Sequence, residues 1–380
     1  MGRYGDGLGV AHDLVQAAET AAFAALARLG GRTPDLAVVF VAGQDAAAAG
    51  ERALALTGAR ATLGCSAEGV VGGGVGVQNV SAVSVWVGIL PGATLRTFHL
   101  EVLPVDGAAA VVGLPEAGPA DDAMLLLADP YSFPVEGFVE QASVARPGLP
   151  LVGGLAHGDA GPGSTRLWVD GRTVGRGAVG VLLSGSGART ALSQGTRSVG
   201  PAMTVTEADG NVVLGLAGAA ALDKVREVLS DLAPPDQALV SMGLQLGVAA
   251  DERGDRSSFL VRSVIGTDKQ RGGLVLADRV VVGQTVRLQV RDADAADLDL
   301  KDVLAQQTVG LGGGALLFSS RSRGAGLFGP SYGGASHDPV VLREALGSDA
   351  VAGFFCAGEV GPVGERSYLH GFTASMLLLP

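Results

Sequence analysis

The stretch Gly353-Phe354-Phe355-Cys356-Ala357-Gly358-Glu359-Val360-Gly361-Pro362-Val363-Gly364 reads as the end of a buried strand running into a glycine-lined turn, and Ser367-Tyr368-Leu369-His370-Gly371-Phe372-Thr373-Ala374-Ser375 reads as the strand that follows. Glycine lacks a Cβ. A run this dense beside Cys356, Glu359 and His370 lets backbone come close to another group and points to a small-molecule site. Gly64-Cys65-Ser66-Ala67-Glu68-Gly69-Val70-Val71-Gly72 echoes the pattern, with a strand end, a cysteine, a glutamate three residues on and then glycines. Either duplicated halves turn these two segments toward one cleft, or a chain rich in Gly and Ala matches itself by chance.

Working outward, helical spacing of apolar residues predicts helices over 9–29, 46–56, 135–144, 219–232 and 339–346, with a further helix after Asp292. Short apolar or alternating runs predict strands at 36–41, 62–65, 80–90, 94–103, 124–128, 149–152, 315–318 and 351–356. Hairpins are expected over Asp170-Gly171 and Asp209-Gly210. Pro234-Pro235 is expected to stop the preceding helix. The domain division follows: 30–218 and 219–380, with strands again from 238. Hairpins are many and no clean β-α-β alternation is seen, which disfavours a doubly wound nucleotide fold. The expected class is α+β (broadly α/β): two domains of antiparallel-rich sheets covered by helices.

Composition narrows the function. The chain has 380 residues, 47% of them apolar, enough for large cores. A formal net charge of −11 without a Lys/Arg run disfavours nucleic acid and anionic membranes as partners. No apolar run reaches the ~18–20 residues of a membrane span. The first residues contain no apolar leader. Two cysteines make no disulfide framework. The expectation is a soluble cytoplasmic protein with both thiols reduced. No His or Cys spacing suits a metal, the run Gly72–Gly76 lacks the Lys-Ser/Thr of a phosphate loop, and no cofactor is expected. Gly329-Pro330-Ser331-Tyr332-Gly333 matches a nucleophile elbow on paper. An elbow needs a strand directly before it, and the expected strand ends near Ser319.

Both halves resemble the FIST family. The N-terminal half carries Gly64-Cys65-Ser66 and Leu151-Val152-Gly153-Gly154-Leu155-Ala156, followed by His157-Gly158-Asp159. The C-terminal half carries Phe259-Leu260-Val261-Arg262, Gly283-Gln284-Thr285-Val286 leading to Arg291-Asp292, and Leu317-Phe318-Ser319 before Arg323-Gly324. It ends in Gly358-Glu359-Val360-Gly361-Pro362 and His370-Gly371-Phe372-Thr373. Where family members often carry Cys-Asn-Gly-Arg-Gly, this chain has Ser320-Arg321-Ser322-Arg323-Gly324. The Arg-Gly pair remains and a thiol role at position 320 is lost. The resemblance implies a sensory domain for a small ligand, with amino acids as the suggested class, and an output through a signalling protein partner.

The candidate ligand-binding residues are Cys65, Ser66, Glu68, Arg291, Arg323, Cys356, Glu359 and His370. Arg291 and Arg323 are suited to a bidentate carboxylate clamp, and Glu68 or Glu359 to an ammonium. The plain alternatives are buried structural cysteines, turn carboxylates bonded to nearby N–H groups, and arginines in internal ion pairs. Two other functions compete with the sensor: an enzyme using a Cys/Glu pair in the glycine-rich cleft, and a scaffold that meets a protein through Ser319–Tyr332. A strongly shifted titratable group inside a deep pocket would favour the enzyme. An exposed patch at Leu327-Phe328 would favour the scaffold.

Overall fold

A computed structural model of the chain describes residues 2–105, 108–116, 118–158, 160–250, 259–308 and 310–380; Asp159 lies outside them. The chain opens with β1 (Arg3–Val10), α1 (Leu14–Ala27), β2 (Leu36–Ala42), α2 (Ala46–Thr57), β3 (Ala61–Ala67), β4 (Gly69–Gly72), β5 (Val75–Gln78), β6 (Ala82–Ile89) and β7 (Thr94–Val105). Next come β8 (Ala108–Val112), β9 (Asp121–Ala128), α3 (Val135–Ala145), β10 (Leu151–Leu155), β11 (Leu167–Val169), β12 (Arg172–Val174), β13 (Ala178–Ser184) and β14 (Arg189–Gln194). A middle segment holds β15 (Thr196–Asp209), β16 (Val212–Leu216), β17 (Ala219–Ala220), α4 (Ala221–Ser230), α5 (Pro234–Ser241), β18 (Leu244–Ala249), β19 (Phe259–Asp268), β20 (Gly273–Leu276), β21 (Thr285–Arg291) and α6 (Ala293–Gln307). The chain closes with β22 (Gly314–Ser320), α7 (Gly324–Leu327), α8 (His337–Leu346), β23 (Val351–Cys356), β24 (Glu359–Val363), β25 (Arg366–His370) and β26 (Thr373–Leu379).

Two compact units result. The first comprises Met1–Ser193, Leu300–Leu369 and Thr373–Pro380; the second comprises Gln194–Asp299 with His370–Phe372. Residue 218 falls within the second unit, and strands from both sides of it share sheets in the first.

The first unit holds three mixed sheets, ordered β1-β6-β2-β3-β11-β12, β25-β24-β10-β9-β13-β7-β8 and β14-β26-β22-β23-β4-β5. Each is centred on one parallel pair crossed by a helix: β2/β3 with α2, β9/β10 with α3, and β22/β23 with α8. β-α-β units are therefore present among the hairpins. Their first strands contain continuous apolar runs (36–42, 123–128 and 315–318) because both faces are covered. In β2 the pleat sends Leu36, Val38 and Phe40 to a shared inner core, and Ala37, Val39 and Val41 outward against α1 and α2. In β9, Leu125 and Leu127 face inward while Met124 and Leu126 meet α3. In β22, Leu316 and Phe318 face inward while Ala315 and Leu317 meet α6 and α8. The inner core is thus built from one face of each sheet, with Phe40 stacked on Phe354 at 5.0 Å and edge-on to Phe318.

β1 pairs with β6 and takes up residues 9 and 10, so that the helix expected from residue 9 begins at Leu14. Glycines stand at alternate positions. A Cβ on Gly5, Gly7 or Gly9 would lie 2.2, 2.1 or 2.0 Å from a carbonyl oxygen of α1. α1 therefore rests directly on the strand backbone, through a face of Ala17, Ala18, Ala21, Ala22 and Ala25.

Among the described residues the strands of the second unit pair antiparallel. β15, β21, β18, β19, β20 and β16 follow in order, and a β15–β16 pairing closes them into a barrel. α4 ends at Ser230, before Pro234 and Pro235, as expected, but the two prolines also begin a further helix. They occupy the first turn of α5, where a missing N–H costs nothing, so residues 238–241 are helical and the next strand starts at Leu244. Asp292 caps α6, accepting from Ala295 N at 3.1 Å. The apolar run near the C-terminus is two strands, β25 and β26, broken at Gly371-Phe372, where Phe372 has φ 68°.

Candidate functional site

In the first unit, β2 and β3 end side by side at Ala42 and Ala67, where the parallel pair meets the amino end of α2. Crevices outside the carboxyl ends of parallel strands are where open α/β sheets bind ligands. Two adjoining cavities lie here. One, of about 620 Å³, is lined by residues 43–48, Ser66, Ala67, His157, Gly158, Ala160, Ser164 and Arg166. The other, of about 510 Å³, shares Gly43, Gln44, Asp45 and Ala67 and adds His12, Leu14, Glu68, Asn79, Val80 and Ser81.

Local sequence explains the opening. The connection from β2 to α2 is only residues 43–45. Gly43 (φ 125°) and Asp45 (φ 58°) turn the chain through left-handed conformations. α2 has no side-chain cap and no acid in its first turn, so its leading N–H groups face the cavity wall without an anionic partner from their own helix. Ser66 fixes the opposite wall. Its Oγ donates to His157 O at 2.5 Å and accepts from Arg166 N at 2.9 Å, while its backbone bonds the same two residues at 2.9 and 2.8 Å. Arg166 anchors one guanidinium nitrogen on Gly163 O and Thr165 O. Glu68 stands on the adjoining cavity and pairs with Arg321 at 3.3 Å.

Of the sequence candidates, Ser66 and Glu68 line these cavities. Cys65, beside Ser66, faces the inner core, fully buried, and burial pushes its thiol up. Cys356 is likewise buried, donates to Ser319 O at 3.4 Å and is pushed up by burial and by Glu359. Neither cysteine is in a disulfide. Sealed thiols of this kind are poor nucleophiles. Glu359 has no exposure. Its Oε2 accepts from Thr373 N and Oγ1 at 3.1 and 3.0 Å, Oε1 has no hydrogen-bond partner, and burial pushes its carboxyl up to about 8. Arg323 is not in a wet pocket. It is wholly buried and forks onto Asp338 through Nε (2.9 Å) and Nη2 (3.0 Å). Asp338 also accepts from Ser319 Oγ at 2.8 Å and lies 3.0 Å from His337 Nδ1. Burial opposes the charge on Asp338, but Arg323 and His337 outweigh it and hold the carboxyl below the usual range. His370 closes β25 and is buried. Arg291 ends β21 in the second unit, half-buried, and burial lowers its pKa.

Arg166 and His157 were not among the candidates, although His157 follows one of the quoted motifs. Arg166 leads into an apolar strand and carries no local signal of its own. Phe328 is buried and stacks on His337 at 3.6 Å, so Leu327-Phe328 forms no exposed aromatic patch. Ser331 lies in a short 3-10 turn well after β22, without the strand that an elbow needs. Among the described residues no cluster of His, Cys, Asp and Glu suits a metal ion. Among them also, no helix is long and apolar enough to cross a membrane.

Fold and cavity together define a two-unit α+β protein, with parallel strand ends opening on a crevice. The chain belongs to the FIST family: the FIST N domain matches residues 35–219 and the FIST C domain residues 221–362. FIST domains are generally held to be sensory, ligand-binding domains. An uncharacterized protein of Mycobacterium tuberculosis is 39% identical over 385 residues, covering 99% of both chains. Another, of Mycobacterium bovis, is 37% identical over 385 residues, covering 99% of this chain and 98% of its own.

Proposed function

We propose that the protein is a cytoplasmic sensor of a small polar metabolite, with amino acids the leading class, and that it passes the signal to a protein partner. One observation carries this reading: the paired cavities at the ends of β2 and β3 offer cationic and anionic groups on adjoining walls. The leading N–H groups of α2 and the Arg166 side chain suit a carboxylate; Asp45 and Glu68 suit an ammonium. In this reading Ser66 shapes the site and Glu68 touches the ligand. The division of the sequence at 218/219 separates the stretches that supply different parts of the sensor. The competing enzyme would need a reactive thiol, and both cysteines are sealed in the core.

A thermal-shift screen against amino acids and related small metabolites tests the proposal. A ligand at ~100 times its Kd stabilises by roughly 2.7 kcal/mol. Loss of that shift in Arg166→Ala, with the unliganded melting point kept, supports the site. A ligand that binds equally well to Arg166→Ala and Glu68→Ala would move it elsewhere.

A further inference from the structure

The strand orders of the first unit repeat. β2-α2-β3, hairpin β4–β5 and returning β6 form one series. β9-α3-β10, hairpin β11–β12 and returning β13 form a second, and β22-α8-β23, hairpin β24–β25 and returning β26 a third. In each, the first two strands are parallel and the returning strand lies antiparallel to the first. In each, the hairpin leaves its own sheet. β4 pairs with β23, β24 pairs with β10, and β11 pairs with β3. The three exchanges form a closed cycle. The strand after each returning strand also crosses to a neighbour, β7 to β13 and β14 to β26. After β26 the chain ends, and β1 fills the corresponding place on β6. The seam is closed by Tyr4 Oη donating to Pro380 O at 2.8 Å. The middle segment that makes up the second unit is inserted between the second and third series.

We infer that the first unit is three copies of one β-α-β-hairpin-β motif, interlocked by hairpin exchange and closed into a ring by β1, and that the candidate cleft is one of three equivalent positions, each walled by two copies. Its α2 wall and Ser66 come from the first copy; His157 and Arg166 come from the second. The Cys65/Glu68 and Cys356/Glu359 echo falls where the first and third copies hand over their hairpins. The equivalent position of the third copy is filled by the chain itself. Segment 321–336 packs on the first copy's hairpin, with Gln78 bonded to Arg321 O and Ala325 N, and Ser336 Oγ to Gly76 N.

Two circular permutants of the full chain test the ring. Pro380 is joined to Met1 by a short Gly-Ser linker. One permutant opens at Pro91/Gly92, between the first and second copies; the other opens at Gly347/Ser348, inside the third. Both tryptophans report inter-copy packing. Trp86 Nε1 donates to Ala350 O of the third copy, and Trp168 of the second covers Gly50 of α2. The Pro91/Gly92 permutant is expected to melt cooperatively with wild-type tryptophan emission, and the Gly347/Ser348 permutant to fold with a lower melting temperature. Failure of both to fold overturns the closure. Folding of the second without the first overturns the copy boundaries. Red-shifted tryptophan emission in a folded Pro91/Gly92 permutant overturns the interlocking.

Discussion

After β2 the chain reaches its helix through residues 43–45; after the corresponding β22 it reaches α8 only through 321–336. The two ends share a topology and differ in what stands in front of them. At the first, a short link leaves the amino end of α2 facing an open crevice with Arg166 and Ser66 on its far wall. At the third, the long link folds back and seals the space, and the first turn of α8 carries Asp338, whose carboxylate is held by Arg323, Ser319 and His337. A short link goes with an open strand end, and a long link with a buried one. The same chemistry, an arginine beside a helix start, lines an open crevice at one end and is buried against Asp338 at the other.

Arg323→Ala should have the largest effect. It strands the buried Asp338 carboxylate, so the expected loss is about 3–5 kcal/mol of stability, read from denaturant melts. A loss under ~1 kcal/mol would mean that the third end is as wet as the first. Next is a pH effect at Glu359. Its folded pKa is raised to about 8 from an ordinary value near 4.5. The stability it contributes is therefore complete below pH ~4.5 and is lost as pH rises through about 8. Melting temperatures of Glu359→Gln should fall less than wild type over that window. Parallel curves would show that the carboxyl is ionised and hydrated. Asp338 acts with the opposite sign, its stabilisation being lost as pH falls below the normal carboxylate range.

At the open end, Ser66→Ala should cost about 1–3 kcal/mol, because Arg166 N and His157 O each lose a bond to the hydroxyl. An unchanged melt would show that the wall is held by the backbone alone. The smallest stability effect belongs to Arg166→Ala, under about 1 kcal/mol. Its affinity for an anionic ligand should nevertheless fall by about 1.5–3 kcal/mol, roughly 10- to 150-fold. Calorimetric titration with whichever amino acid the screen selects would separate the two quantities.

What was legible in the sequence follows the same contrast. The strands β2, β9 and β22 contain unbroken apolar runs at 36–42, 123–128 and 315–318, and such runs announce themselves. β1 does not, because its alternate glycines carry no side chain and exist for the carbonyls of α1. α5 was hidden by Pro234-Pro235, since a diproline that stops one helix equally starts the next. Ser66 and Glu68 were visible as polar residues at a strand end. Arg166 was not, because its place in the cleft depends on pairing between β11 and β3, residues a hundred positions apart. Arg323 and Glu359 were visible as charges, but their burial was not. It rests on Asp338 and Thr373, and nothing local to either charge names its partner.

The bond between Tyr4 and Pro380 has a mechanical meaning. Both chain ends leave the molecule at one point, each at the last rung of an antiparallel ladder, Arg3 opposite Ile89 and Leu379 opposite Gly314. A pull applied between the two termini loads those rungs one at a time, so the strands peel like a zipper and no ladder is sheared as a whole. A molecule anchored by its ends should open at low force from this seam, surrendering β1 and β26 well before tension reaches the strands that frame the cleft.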